Sequence, residues 1–500
     1  MRFLANLSNI LADAFFLFEK TIHFNIFVNT SNQSLAMFNS TVYVQRRAVL
    51  RKKFHTGILL FLGNGESPMN YAHNPYHFRQ DSSFLYYFGI NDPDLIAIID
   101  LDEDQDMVFG AEMSIDDLVW MGRQESLQDK CAKAGITQIV APDKLAAYLK
   151  QAKLKGREVR FLPPYRAENK IALSRLLDLD VHRVTDFAAP DFIKAVVAQR
   201  SVKAAEEIAE LDKAASISAD IQLMVMQATK PGMYERDIAA TIHAAALRSG
   251  GNLAYPIILT VNGEILHNYY RGNILEEGKL VLNDSGVETA MGYAGDLTRT
   301  FPVAKKFTPD QKEVYDIVLN AYRHASNMLA PGVRYLDVHL ESCKQLVLGL
   351  KDMGLMKGDA EAAVAAGAHT LFFQCGTGHM MGLDVHDMED LGEQYVGYTD
   401  TLKKNTTQFG LKSLRMGKAL EAGYVMTVEP GIYFNKELLD RYRAAGSFSG
   451  FINYSAVERF RNFGGIRVED DFLVLEDGAR MLGKHLAITT TEIEQVRSEA

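Results

Sequence analysis

The segment 292–302 reads GYAGDLTRTFP, and it sets one acidic residue, Asp296, between a glycine-containing turn and a run of apolar and β-branched residues. Such a run is typical of a strand, so we predict a strand over residues 296–303 with the carboxylate at its start. Four further residues stand in comparable places beside glycine or proline: Asp284, His379, Glu429 and Glu469. Asp284 closes the apolar run 280–282, and Glu429 directly precedes a Pro-Gly turn.

Four carboxylates and one imidazole at strand and loop ends predict a site for two divalent metal ions. Two such ions make a nucleophile from water at neutral pH. Carboxylate oxygens suit Mn and Mg better than thiophilic ions, and no cysteine belongs to the set. Without cations the four acids would repel one another in a cleft. Taken singly, each residue is a plain turn former, loop acid or core histidine, so the prediction depends on their combination and order.

Composition limits the other classes of function. A chain of 500 residues is long enough for two to three domains. The net charge of −10 argues against a general nucleic-acid surface. No apolar run approaches the roughly 18 residues of a transmembrane helix, so we expect no membrane span. The three cysteines, Cys131, Cys343 and Cys375, are far apart and indicate reduced thiols in the cytoplasm. We interpret Cys375 as a packing residue, and we expect a homo-oligomer.

The first 36 residues differ from the sequence that follows them. They are rich in Phe, Asn and Ser, and polar residues break their apolar stretch. A secretory signal needs an unbroken apolar core and a small-residue cleavage site, which this segment does not supply cleanly. We interpret residues 1–36 as an extension that is disordered or wrongly assigned to the chain. A chain starting at Met37 is therefore expected to fold and to be active.

Two domains of mixed helix and strand are predicted after this extension. Over 37–195, short apolar strands such as 57–62 and 95–100 alternate with helical stretches, which argues for an α/β domain. Over 196–500, a long helix (201–228) and a second helix (235–248) precede further strands. Another helix is expected to start at Thr308, because Thr308-Pro309-Asp310-Gln311 supplies a capping box and a proline in the first turn.

The second of these domains contains a weak internal repeat. Pro231-Gly232 and Pro331-Gly332 lie one hundred positions apart, and each pair is followed by an aspartate five residues after the glycine. Each copy continues with a histidine loop, a strand that ends at a carboxylate, and a strand that carries one more acid. The pattern predicts two α/β halves related by pseudo-symmetry, with the metal site at their junction.

Several motifs resemble the pita-bread metallopeptidases, and within them the aminopeptidase P family. In the first domain the resemblance lies in Asn70-Tyr71, in Phe78-Arg79-Gln80-Asp81-Ser82-Ser83-Phe84-Leu85-Tyr86 and in Val119-Trp120-Met121-Gly122. In the second domain it lies in segment 292–302, in Gly382-Leu383-Asp384-Val385-His386-Asp387, in Val428-Glu429-Pro430-Gly431 and in Arg467-Val468-Glu469-Asp470-Asp471. The resemblance covers nearly the whole chain from Met37. It implies an N-terminal α/β domain followed by a pita-bread catalytic domain.

The resemblance also implies a role for each residue of the site. Asp284 and Asp296 would hold one metal ion, His379 and Glu429 would complete the second site, and Asp296 and Glu469 would bridge the two. The metals in this family are usually manganese. His267 and His386 match the two active-site histidines that do not bind metal, and Arg467 matches the active-site arginine.

The implied reaction is hydrolysis of the bond before a proline at position two of a peptide. A metal-bridged hydroxide would attack the carbonyl carbon, and Glu429 would take its proton and pass it on. The nitrogen before proline must gain a proton to leave as an amine. His267, His386 and one metal ion are the candidates for stabilising the oxyanion.

Alternative functions remain on the same fold. An Xaa-Pro dipeptidase is the nearest, because the stretch 435–462 is as long as in prolidases, whereas the Thr298-Arg299-Thr300 motif favours the aminopeptidase. A metal-free binding protein of this fold should have lost ligands, and all five are present. Methionine aminopeptidases lack the large first domain.

One departure from the family is Asn283, a polar residue at a usually apolar position, which we expect to loosen its strand slightly.

Overall fold

The computed structural model describes residues 37–499. The predicted extension, residues 1–36, lies outside the described residues. Within 37–499, none of the helices combines the length and the apolarity that a bilayer crossing requires.

The α-helices of this part of the chain are, in order, α1 (Ser40–Arg51), α2 (Ser82–Phe88), α3 (Ile115–Met121), α4 (Leu127–Lys133), α5 (Leu145–Leu154), α6 (Ala167–Leu177), α7 (Pro190–Ser201), α8 (Ala205–Ala228), α9 (Glu235–Arg248), α10 (Pro309–Asn327), α11 (Tyr335–Asp352), α12 (Ala360–Ala366), α13 (Glu393–Val396), α14 (Lys436–Ala444), α15 (Tyr454–Val457) and α16 (Thr490–Ser498). Short 3-10 turns lie at Pro142–Lys144, Val184–Phe187, Ala368–Leu371, Glu389–Leu391, Leu411–Ser413 and Glu458–Phe460.

The strands are β1 (Ile58–Leu62), β2 (Ile96–Asp100), β3 (Gln105–Phe109), β4 (Gln138–Val140), β5 (Val159–Phe161), β6 (Asn252–Leu253), β7 (Ile258–Thr260), β8 (Leu280–Asp284), β9 (Val287–Glu288), β10 (Thr298–Pro302), β11 (Val425–Val428), β12 (Gly431–Tyr433), β13 (Gly465–Arg467), β14 (Asp470–Leu475) and β15 (Gly478–Met481).

The first five strands form one mixed sheet in the order β4-β3-β2-β1-β5. Strand β1 pairs antiparallel with β2 and parallel with β5. Its sequence, ILLFL, is apolar at every position, and all but its last residue are buried. An apolar run without alternation is expected for a strand covered on both faces. The predicted α/β arrangement of the first domain is thus confirmed.

The internal repeat is visible in the backbone hydrogen bonds. Gly232 N donates to Leu275 O at 2.8 Å, and Gly332 N donates to Leu420 O, also at 2.8 Å. Both glycines have positive φ, +88° and +85°, a region that favours glycine. The helices that follow are α9 and α11. Equivalent turns therefore lead into equivalent helices, as the predicted pseudo-symmetry of the two halves requires.

The two halves meet where β10 approaches the start of β14. Glu469 N donates to Thr298 O at 3.1 Å, which forms an isolated bridge between the two sheets. Arg299 is fully buried beside it and donates to Glu469 O at 2.8 Å and to the Asp470 carboxylate at 2.9 Å. The Thr-Arg-Thr motif thus fixes the backbone on which Glu469 stands.

Two local expectations from the sequence need correction. The predicted helix 201–228 begins only at Ala205, because residues 202–204 are not helical and separate α8 from α7, which ends at Ser201. The break serves a tertiary contact, since Lys203 N donates to Gly423 O at 2.9 Å and helical geometry would prevent this bond. The strand at Asn283 is not loosened: the side chain is fully buried and its Nδ2 donates to Gln222 Oε1 at 2.8 Å.

Candidate metal centre

The predicted ligands stand at the ends of the strands that meet between the two halves. Asp284 is the last residue of β8, and Glu429 directly follows β11. Asp296 lies two residues before β10, and Glu469 lies between β13 and β14. His379 is carried by the loop between α12 and β11. Residues at strand ends have backbones fixed by the sheet and side chains free to converge.

The structure brings all eight predicted site residues to one cavity of about 310 Å³. They are Asp284, Asp296, His379, Glu429, Glu469, His267, His386 and Arg467. One ligand atom each from Asp296, His379 and Glu469 lie within 4.8 Å of one another. His379 Nε2 is 3.4 Å from Asp296 Oδ2 and 3.8 Å from Glu429 Oε1.

The backbone holds two of the ligands in register with each other. Thr427 N donates to His379 O at 3.0 Å, and His379 N donates to Thr427 Oγ1 at 3.1 Å. Glu429 N donates to Thr377 O at 2.7 Å. The histidine loop is therefore bonded along β11, which fixes the distance between the imidazole and the Glu429 carboxylate.

The carboxylates of the centre are crowded in a way that fits cations. Burial raises the pKa of Asp284 and of Asp296 above its usual range. Burial, with the neighbouring carboxylates, raises the pKa of Glu429 to about 8 and places that of Glu469 well above its usual value. Glu469 Oε1 is buried and has no hydrogen-bond partner among the described residues. Dications would relieve this repulsion and occupy the open oxygen, so the residues present fit a divalent metal centre.

His379 is suited to bind a cation as a neutral ring. Burial lowers its pKa to about 4. Its Nδ1 lies 3.3 Å from the Met380 carbonyl oxygen. A proton donated to this carbonyl would leave the Nε2 lone pair directed at the carboxylates, which is the usual arrangement of a ligating histidine.

Three residues that the sequence did not single out as site residues shape the cavity. The Tyr255 hydroxyl contacts both Asp284 Oδ1, at 2.6 Å, and Asp296 Oδ1. Thr298 Oγ1 donates to Glu469 Oε2 at 2.6 Å. Cys375, which the sequence suggested was a packing residue, lines the same cavity. Tyr255 precedes Pro256 in a loop, and nothing in its local sequence marks it as a carboxylate partner.

Arg467 lies beside the acids as a fixed positive charge. It is buried and donates to Asp284 Oδ2, to Thr298 Oγ1 at 3.2 Å and to the Tyr433 hydroxyl at 3.0 Å. Its guanidinium lowers the pKa of Asp284 against the larger effect of burial. The predicted arginine therefore orients a carboxylate and offsets part of the negative charge.

The two predicted histidines occupy different places around the cavity. His386 packs edge-on against His379, with ring centres 4.4 Å apart, and its Nδ1 lies 2.6 Å from Glu389 Oε2. Arg415 Nε donates to the same Glu389 oxygen at 3.0 Å. His267 also lines the cavity, but it is exposed to solvent. Neither histidine belongs to the close group of ligand atoms from Asp296, His379 and Glu469.

The loop that carries His386 is braced by the first domain and by the segment that connects the two domains. Arg79 Nη2 donates to Leu383 O at 2.7 Å. Arg200 Nη2 donates to Asp387 Oδ1 at 2.7 Å and lies 3.0 Å from Asp384 Oδ2. The predicted motif around Arg79 therefore acts from outside the cavity. The first-domain motif at 119–122 does not contact the metal-centre cavity, because its Trp120 lies on α3 with 84% of its surface exposed.

Comparison with known proteins places this geometry in a family. Residues 209–476 match metallopeptidase family M24, and residues 43–160 match the aminopeptidase P N-terminal domain. The chain is 30% identical over 468 residues to the Xaa-Pro aminopeptidase of Escherichia coli (strain K12), covering 90% of this chain and 96% of that one. It is also 30% identical over 437 residues to the Xaa-Pro dipeptidase of Homo sapiens, covering 85% and 86% respectively. The solved structure of zinc-substituted E. coli aminopeptidase P in complex with product superposes with a TM-score of 0.76 at 29% identity, covering 93% of this chain and 99% of the other.

Proposed function

The chain belongs to metallopeptidase family M24, and we propose that it removes the first residue from peptides whose second residue is proline. It is a metal-dependent hydrolase with the fold of aminopeptidase P. The observation that carries the proposal is the convergence of four carboxylates, three of them buried, and His379 on one cavity, with raised carboxylate pKa values and an unpaired Glu469 oxygen among the described residues. This arrangement can hold divalent cations and a peptide carbonyl together.

We propose two metal ions, both Mn²⁺, with the ligands that the sequence predicts. Asp284 and Asp296 would hold one ion, His379 and Glu429 would complete the other, and Asp296 and Glu469 would be shared. The oxygen-rich donor set suits manganese. When bound, two such ions lower the pKa of water and supply a nucleophile at neutral pH.

The protein groups around that site have separate tasks. Glu429 would accept a proton from the attacking water and return it to the proline nitrogen, which must be protonated to leave. His386 lines the cavity and its Nδ1 donates to Glu389, so its Nε2 would donate a hydrogen bond to the developing oxyanion when the ring carries a second proton. His267, which lines the same cavity, would contact the substrate as well. Arg467 keeps Asp284 oriented.

Substrate length is the finer part of the proposal. A second cavity of about 520 Å³ lies between the first domain and the catalytic centre, and it shares Val385 and His386 with the metal-centre cavity. This space can receive residues that follow proline. The stretch 435–462, which resembles prolidases in length, contributes α14 and α15 but lines neither cavity. Both observations favour the aminopeptidase.

The Xaa-Pro dipeptidase stays the second candidate, because the human dipeptidase is as similar to this chain as the bacterial aminopeptidase. We further propose domains at 37–195 and 196–500, a cytoplasmic location and a homo-oligomeric state. These rest on the sequence patterns and on the family resemblance.

The deciding experiment compares a tripeptide Xaa-Pro-Xaa with the dipeptide Xaa-Pro, using the manganese-loaded enzyme and chromatographic analysis of the products. We expect the first amino acid and a Pro-Xaa dipeptide from the tripeptide. A matched Xaa-Ala-Xaa peptide serves as the control for proline selectivity. Turnover of the dipeptide alone would select the prolidase assignment, and no release from either proline peptide would reject both.

A further inference from the structure

A second cluster of metal-binding side chains lies outside the metal-centre cavity. His339 and Cys343 are four residues apart on α11, so they share one face of that helix. His369 lies in the 3-10 turn Ala368–Leu371 packed against it. One ligand atom of each residue lies within 4.8 Å of the other two. All three are buried, with exposed fractions of 0%, 0% and 2%.

The His369 ring has buried polar atoms that suit a bound ligand in this cluster. Neither of its ring nitrogens has a hydrogen-bond partner among the described residues, although both are buried. Buried polar atoms are nearly always paired. An unmet donor or acceptor costs about 1–3 kcal/mol. A group that accepts an imidazole lone pair would therefore stabilise this ring.

The spacing of the other two donors fits a tetrahedral ion. Cys343 Sγ is 3.6 Å from His339 Nε2. Bonds of about 2.3 Å to sulfur and about 2.0 Å to nitrogen, at a tetrahedral angle, place the two donor atoms about 3.5 Å apart. His339 Nδ1 is 3.0 Å from Thr377 Oγ1. A proton donated there leaves Nε2 free, as in ligating histidines whose second nitrogen is fixed by a neighbour.

The protonation states support the same interpretation. Burial lowers the pKa of His339 to about 3 and that of His369 to about 4, so both rings are neutral at pH 7 as ligation requires. Burial raises the pKa of the Cys343 thiol, so its proton would leave only in exchange for a cation.

We propose that His339, Cys343 and His369 bind one Zn²⁺ ion in a structural site distinct from the catalytic centre. Two imidazoles and a thiolate select zinc over manganese. Three protein donors leave one tetrahedral position for water. The backbone carbonyl of Thr377, whose side chain contacts His339, accepts the N–H of Glu429 at 2.7 Å. The ion would thus brace the loop that carries His379. The zinc site does not depend on which substrate the catalytic centre takes.

Cobalt substitution separates the two kinds of site. Co²⁺ bound through a thiolate shows a strong sulfur-to-metal charge-transfer absorption in the near ultraviolet, whereas a site of carboxylates and imidazole does not. We expect the cobalt-loaded full-length protein to show this absorption, and Cys343→Ser to abolish it. Cys131→Ser, at a buried cysteine in the first domain, and Cys375→Ser, at the cysteine of the catalytic cavity, are the matched controls and should retain it.

Each result of this experiment bears on the proposal. Absence of the absorption in the cobalt-loaded wild type would overturn it, as would its persistence in Cys343→Ser or its loss in Cys375→Ser alone. If no metal binds here, the Cys343 thiol would be hydrogen-bonded to His339 and water would pair with His369. In that case the cobalt-loaded wild type would show no such absorption. His369→Ala keeps the thiol and gives a second measure: zinc bound per chain should fall by one equivalent, and an unchanged zinc content would reject His369 as a ligand.

Discussion

Glu469 shows at the scale of one residue how the centre combines fixed and open atoms. Its Oε2 accepts a hydrogen bond from Thr298 Oγ1 at 2.6 Å, its backbone is held by Arg299, and its Oε1 has no partner among the described residues. One oxygen is therefore positioned by protein and the other is available. Asp296 is similarly anchored through its backbone, since its N–H donates to Asp471 Oδ2 at 3.0 Å. Such anchoring keeps like charges together before cations bind.

The first prediction concerns the shared ligands. Asp296→Asn and Glu469→Gln should each lower kcat/KM by at least about 1,000-fold, because metal ions supply several kcal/mol of transition-state stabilisation. Asp284→Asn should lower it less, since only one ion would depend on that carboxylate. Metal analysis beside the kinetics should show up to two ions per wild-type chain at this centre. Full activity of a thoroughly metal-stripped sample would contradict the metal assignment itself.

The second prediction separates histidines that contact substrate from those that bind metal. His386→Ala and His267→Ala should each lower turnover by about 100-fold or more, the scale of lost proton transfer or oxyanion stabilisation. Metal content should stay unchanged. His324→Ala, at a half-exposed histidine on α10, is the matched control and should retain activity. Loss of metal from His386→Ala would show that a ligand had been misassigned.

At the scale of elements, the sequence predicted what local chemistry determines. Helix α9 has the predicted bounds, and α10 begins after Thr308 with the predicted capping box. The strand ends that carry Asp284 and Glu429 were also predictable, because an apolar run ends within two residues before each acid. The break at 202–204 was not predictable from sequence, because it depends on a contact with the distant Gly423. The role of Tyr255 was not predictable either, because it depends on contacts with Asp284 and Asp296.

The third prediction belongs to the last helix. Glu492 Oε2 accepts from Ile488 N at 3.0 Å and from Thr489 N at 2.9 Å, which completes the capping box of α16. The backbone hydrogen bond from Thr489 is the largest cause that lowers the pKa of Glu492 to about 2. The unfolded value is about 4.3. The stabilisation from this carboxylate is therefore fully present above about pH 4.3 and is lost as the pH falls toward 2.

Glu492→Gln should accordingly destabilise the protein by about 1 kcal/mol at pH 7, the size of a lost helix cap. The difference from wild type should shrink as the pH is lowered to 3. Thermal unfolding at both pH values measures it, with Glu494→Gln on the same helix as a control. A difference that grows on acidification would contradict a carboxylate whose pKa is lowered by folding.

At the scale of the whole molecule, buried charges connect the first domain to the loop that carries His386. Asp387 lies next to His386 and is 4% exposed. It pairs with Arg200 at 2.7 Å and with Lys203 at 2.9 Å, at the point where the chain passes from α7 to α8. Arg200 also donates to Ser83 Oγ at 2.9 Å. One buried network thus connects α2, the interdomain connection and the loop that carries His386.

The fourth prediction tests this connection. Asp387→Asn would leave the buried Lys203 without a carboxylate and Arg200 with only that of Asp384, and breaking a buried pair in this way costs about 3–5 kcal/mol. Burial raises the pKa of Asp387, but Lys203 and Arg200 outweigh it and hold that pKa below its usual range. The network therefore contributes to the free energy of unfolding at neutral pH. This contribution is lost as the pH falls below about 3.9, the pKa of an aspartate in the unfolded chain.

The matched control is Asp212→Asn, which breaks the half-exposed pair with Arg480. An exposed pair contributes about 0–1 kcal/mol, so this variant should stay close to wild type. Thermal unfolding and kcat/KM measured on both variants distinguish the two roles: Asp387→Asn should lose stability and turnover together, because the displaced loop carries His386. Equal, small effects of the two substitutions would mean that the interdomain network stabilises neither the fold nor the catalytic loop, and that the first domain contributes only walls to the larger cavity.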